Sequence, residues 1–92
     1  MRVKGGDYMD EFFIGNRLKE LRKERDLSLG MVVKEVNQKY GVKLSKGKLS
    51  KWENKDNAPV LDERLIALIK YYNVSLDYII GLTDKKTPPH LW

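Results

Sequence analysis

The sequence contains no cysteine. That absence excludes a disulfide framework and any thiolate metal centre, so the core must hold without staples. Histidine is represented once, by His90. It lies in the C-terminal tail with no cysteine or carboxylate cluster beside it, so no metal site is expected. Apolar runs extend over a few residues, far short of a membrane span, and the N-terminus lacks a basic-then-apolar secretory pattern. A cytoplasmic protein is the plain reading. No segment alternates polar and apolar residues over a strand's length. No nucleophile, base and acid stand together, so the chain is not read as an enzyme, and no cofactor is expected. The "KGG" at residues 4–6 lacks the spacing and helix context of a phosphate-binding loop.

What is present is lysine, unevenly placed. A chain of 92 residues with 41% apolar content has room for one small domain and a modest core. Its net charge is +5. Residues 43–55, "KLSKGKLSKWENK", hold Lys43, Lys46, Lys48, Lys51 and Lys55 against Glu53, a sum of +4, so nearly the whole excess sits in one segment. The other basic cluster, residues 17–25, is interleaved with Glu20, Glu24 and nearby Asp26 and largely cancels itself.

Helix signals recur along the chain. Asp10 is placed to cap a first helix in which Ile14, Leu18 and Leu21 share one face. Leu27 enters a turn, and Ser28 can cap a second helix carrying Val32, Val33 and Val36, which stops near Tyr40 and Gly41. Ser45 can cap a short third helix reaching Glu53, with Leu49 and Trp52 turned inward. After a polar turn closed by Pro59, Asp62 caps a fourth helix whose stripe is Leu65, Ile66, Leu68, Ile69 and Tyr72. Asn73 ends it, Ser75 caps a fifth, and Gly81 can stop that one. Tyr71 and Tyr72 are consecutive, so one should face the core and the other the surface. The expectation is an all-α, compact five-helix domain over residues 10–83, with flexible segments at residues 1–9 and 84–92.

On the third helix the apolar anchors leave Lys46, Gly47, Lys48, Ser50 and Lys51 on the opposite side. A DNA major groove is wide enough for one such helix, whose outward side chains can reach base edges. Trp52, spaced three from Leu49, reads as core rather than as a stacking platform.

The segments "IGNRLKELRKERDLSL", "LSKGKLSKWENK" and "LIALIKYYNVSLDYIIGL" resemble the helix-turn-helix family of phage Cro and lambda-type repressors, the small Xre-type regulators. The resemblance covers residues 14–83 and implies a lambda-repressor-like fold and a sequence-specific double-stranded DNA-binding regulator, a repressor of bacterial or phage origin. It implies that the third helix is the recognition helix. Lys46, Gly47 and Lys51 then fall at base-reading positions, and Lys48, Asn54 and Lys55 where phosphates are held. Lys43, Ser45 and Ser50 are grouped with the phosphate contacts. An ion pair between Arg22 and Glu53 is a further family feature, bracing the first helix against the end of the third.

Two features depart from the family pattern. Leu29 and Gly30 replace the polar start of the second helix, which removes a side-chain phosphate contact there but leaves the backbone amides. The stretch "NQKYGVKL" is about six residues longer than the family turn, and reads as an extra helical turn plus a loop; Lys39 in it is expected to be solvated.

A single module reads few base pairs, so a homodimer on a pseudo-palindromic operator is expected, with the final helix (Leu76, Tyr78, Ile79, Leu82) as its surface. The competing expectation is that those residues close the core. An antirepressor or a toxin is the other partner to consider, the latter if the chain is an antitoxin that binds DNA secondarily. The N-terminus also has two readings. Lys4-Gly5-Gly6-Asp7 can be encoded by AAAGGAGGTGAT, a ribosome-binding sequence, with translation starting at Met9; the alternative is a basic arm that touches DNA.

Overall fold

Short polar side chains set most of the helix boundaries. The computed structural model describes residues 11–54 and 59–86. They form α1 (Glu11–Glu24), α2 (Leu29–Tyr40), α3 (Lys46–Glu53), α4 (Glu63–Tyr72) and α5 (Leu76–Ile79), with no strand among the described residues. The expected all-α, five-helix architecture is what the described residues adopt. The Asp10 cap and the Met9 start lie outside the described residues.

Four N-caps use the same device, an oxygen accepting from an amide of the first turn. Ser28 Oγ accepts from Met31 N, Ser45 Oγ from Lys48 N and Ser75 Oγ from Tyr78 N. Asp62 Oδ1 accepts from both Arg64 N and Leu65 N. At the C-terminal ends the backbone turns left-handed. Gly41 (φ 68°) closes α2, and Asp26 (φ 55°) and Asn73 (φ 57°) follow α1 and α4. Both non-glycine turns carry the paired amides of a Schellman motif: Leu27 N and Asp26 N donate to the Arg22 and Lys23 carbonyls, and Val74 N and Asn73 N to those of Ile69 and Lys70. Asp and Asn tolerate this region better than other side-chain-bearing residues.

Leu18 and Leu21 of α1, Val32 and Val36 of α2, Leu49 and Trp52 of α3, and Leu65, Leu68, Ile69 and Tyr72 of α4 make the centre of the core. Tyr71 is half-buried and stacks edge-on to Tyr72, so the two tyrosines divide as expected. In α4 one assignment shifts by a residue. Ile66 is 40% exposed, and Ala67 takes the buried place beside α2. A 3.6-residue stripe can be drawn through either position, and the smaller side chain is the one that fits beneath a neighbouring helix.

The final helix also differs from its expected use. Tyr78 and Ile79 are buried and Leu76 is half-buried against the core, so these residues cannot form a free dimer surface; only Leu82 is exposed. The four-residue helix is too short to present two separate apolar faces, and packing against α1 uses the one it has. Beyond it the chain folds back. Ser75 N donates to the Lys86 carbonyl, Lys86 pairs with Glu24 and Arg17 with Asp84.

The extra residues between α2 and α3 form one more helical turn and a loop, as their sequence suggests. Asn37 holds that loop by donating through Nδ2 to the Leu44 carbonyl (2.9 Å) and accepting at Oδ1 from Leu44 N (2.9 Å). Leu44 is thereby buried directly before the cap of α3. No helix among the described residues is long and apolar enough to cross a membrane.

Candidate nucleic-acid interface

The third helix is fixed from its inner side. Leu49 and Trp52 are buried against α1 and α2, and Arg64 lies over the Trp52 ring at 5.3 Å from its centroid. At its C-terminal end the Glu53 carboxylate, with 1% of its side chain exposed, receives Arg22 Nε (3.1 and 3.0 Å) and Nη2 (2.9 Å). Arg22 spends its remaining terminal nitrogen on the Leu27 carbonyl at 2.8 Å. The hydrogen bonds to Glu53 outweigh burial and raise the arginine's pKa further, so Arg22 stays protonated. The brace expected from the sequence between α1 and the end of α3 is therefore present, and it is bidentate.

The outer side is cationic. Lys46, Gly47 and Lys51 are exposed, Lys48 and Ser50 are half-buried, and Lys43 is exposed on the loop before Ser45. Among the described residues none of Lys46, Lys48 and Lys51 enters an ion pair. The cations of residues 17–25 behave differently: Arg17 pairs with Asp84 and Arg22 with Glu53, while Arg25, just after α1, donates to the Tyr72 carbonyl. Internal contacts thus absorb much of one basic cluster and leave the other available. At Gly47 an added Cβ would meet nothing within 4 Å, so no packing inside the chain requires glycine there. Lys55 lies outside the described residues.

Two positions carry additional structure. Ser45 is the α3 cap, and its oxygen already accepts from Lys48 N at 3.0 Å. Asn54 folds back on α3 through Nδ2, to the Ser50 carbonyl (2.8 Å) and Ser50 Oγ (3.3 Å). Its Oδ1 accepts from Lys19 Nζ of α1 at 3.1 Å. Lys19 was not expected at this surface. The signal for it lies in the sequence, because Lys19 precedes Arg22 by three residues and so shares its helix face. Leu29, at the start of α2, is packed against the core, in keeping with its exclusion as a side-chain contact. Among the described residues no group of histidine, cysteine or carboxylate side chains is arranged to hold a metal ion.

Comparison with known proteins matches this arrangement to a helix-turn-helix profile over residues 18–79, which takes in α2 and α3 and most of the core. The chain belongs to the lambda-repressor-like helix-turn-helix family. A relative in this family, the "Uncharacterized HTH-type transcriptional regulator YobD" of Bacillus subtilis (strain 168), is 36% identical over 72 residues. That alignment takes in 78% of this chain and 58% of the relative, so the chain spans little more than half of that protein's length. In helix-turn-helix terms α2 and α3 are the paired helices and α3 the second of them. The loop held by Asn37 is an enlarged turn between the two.

Proposed function

We propose that this helix-turn-helix chain is a sequence-specific double-stranded DNA-binding transcriptional regulator, acting as a repressor of bacterial or phage origin. The observation that carries the proposal is the outward face of α3, where Lys46, Lys48 and Lys51 stand without acidic partners among the described residues on a helix locked from behind by Leu49, Trp52 and Glu53. An α-helix held at a fixed height with a cationic, partly glycine-lined face suits the major groove. Lys46 and Lys51 read bases, favouring guanine O6 and N7, and Gly47 permits close approach. Lys43, Ser45, Lys48, Ser50, Asn54 and Lys55 hold phosphates and position the helix. Lys19, tied to Asn54, joins them from α1.

Affinity then derives largely from lysine–phosphate contacts and falls steeply with salt. Two copies bind a two-fold symmetric operator, with half-sites about one helical turn apart. The test is selection from a random duplex library with the purified chain at near-physiological salt, followed by sequencing. A two-fold symmetric consensus is expected. Uniform enrichment would reduce α3 to an electrostatic grip and overturn the sequence-specific assignment.

A further inference from the structure

α4 presents two different faces. Leu65, Leu68, Ile69 and Tyr72 enter the core. Glu63, Ile66 and Lys70 recur at i, i+3 and i+7 on the other side and are exposed, while Ala67 between them is buried. Along this outer side runs an open groove of about 240 Å³, lined by Tyr40, Val42, Glu63, Ile66, Ala67 and Lys70. Its floor and walls are mostly apolar, and Ile66 stands 40% exposed at its edge. Val60 and Leu61, just before α4, are exposed as well.

The charges at the two ends of the groove have opposite sign. Glu63 and Lys70 are separated by about 10 Å of helical rise, too far to pair with each other. Among the described residues neither side chain enters an ion pair. An isologous interface requires one patch to complement itself under a two-fold rotation. This patch does. With the axis passing between Ile66 and Ala67, an antiparallel second α4 brings Glu63 of each copy opposite Lys70 of the other. The same rotation brings the exposed Ile66 of each copy over the other copy's groove, whose floor the buried Ala67 lines.

We propose that the groove between α4 and the end of α2 is the docking surface for a second copy of this chain, in antiparallel α4–α4 contact centred between Ile66 and Ala67. The proposal rests on the two-copy reading above and supplies the surface that α5 cannot, since Tyr78 and Ile79 are used in the core. Opposite charges at both ends set the antiparallel orientation, and the apolar centre provides the affinity.

The test is sedimentation of the full chain over a concentration series without DNA, so that a failed operator reading leaves the result untouched. A reversible dimer is expected. Ile66→Glu should raise its dissociation constant about tenfold or more. Glu63→Lys alone and Lys70→Glu alone should each weaken it, because like charges then meet at both ends. An equimolar mixture of those two variants should recover dimer, since the mixed pair restores both contacts. All three positions are exposed, and far-ultraviolet circular dichroism is the check that each variant folds. A wild-type chain that stays monomeric throughout, a dimer indifferent to these substitutions, or a mixture that fails to recover would each overturn the proposal.

Discussion

Gly15 of α1 and Trp52 of α3 approach so closely that a methyl group on Gly15 would stand 2.0 Å from the Trp52 carbonyl oxygen. The obstacle is backbone, which no side-chain rotation relieves. Together with the Arg22–Glu53 pair and the Lys19–Asn54 hydrogen bond, this contact clamps the C-terminal end of α3 to α1. Gly15→Ala should therefore force the two helices apart. Overpacking of this kind costs about 1–3 kcal/mol, more than offsetting the roughly 1 kcal/mol that alanine gains over glycine in a helix. Urea denaturation measures the balance, and a variant as stable as the parent would mean that the helices part without strain.

Removing one member of the ion pair should hurt more than removing both. Arg22→Met leaves the Glu53 carboxylate buried and unpaired, a loss of about 3–5 kcal/mol. Combining it with Glu53→Leu should recover most of that loss, because a well-packed apolar pair often matches a buried ionic one. A double-mutant cycle from chemical denaturation supplies the comparison. Simple additivity of the two losses would show that the pair is not coupled.

Within the DNA-binding reading, lysines at different places have separable effects. Lys51→Ala should cost about 1–3 kcal/mol on the selected site and relax one base preference. Lys55→Ala should weaken binding to all sequences alike and lower the salt slope by about one. Equal losses for both variants on selected and random duplexes would remove Lys51 from base reading.

Tyr71 provides a probe of the α2–α4 contact. Burial, followed by the hydrogen bond that its hydroxyl donates to Glu35, pushes its pKa up to about 12. Burial, then Glu53, raises that of Tyr72 as well. For a group raised by folding, the stabilisation is complete below the ordinary tyrosine value of about 10 and is lost as pH climbs toward the folded value. Alkaline titration followed by tyrosinate absorbance should lose a late-ionising component in Tyr71→Phe. Glu35→Gln should move that component part of the way down and leave the contribution from burial. Ionisation of Tyr71 at the ordinary value would mean the contact does not persist in solution.

Much of the fold can be read in the sequence because its signals act within one helical turn. The Ser28, Ser45, Asp62 and Ser75 caps each bond amides two or three residues onward. Gly41 and Asn73 stop their helices with their own backbone. The same locality made the outward face of α3 legible, since Leu49 and Trp52 orient eight residues between them. Composition had already concentrated the positive charge there.

Tertiary structure decided which neighbour covers each apolar stripe, a choice that periodicity leaves open. It put Ala67 rather than Ile66 under α2, and turned Tyr78 and Ile79 into the core rather than toward a second copy. It joined Asn37 to Leu44 across the enlarged turn and Lys19 to Asn54 across two helices. It also gave Gly15 its role, since the need for a missing side chain arises only where another backbone arrives. The sequence by itself determined where helices begin and end and which one carries the free lysines, because those properties depend on residues within a turn of one another. Where each helix comes to rest depends on contacts between residues far apart in the chain, and only the assembled core decides that.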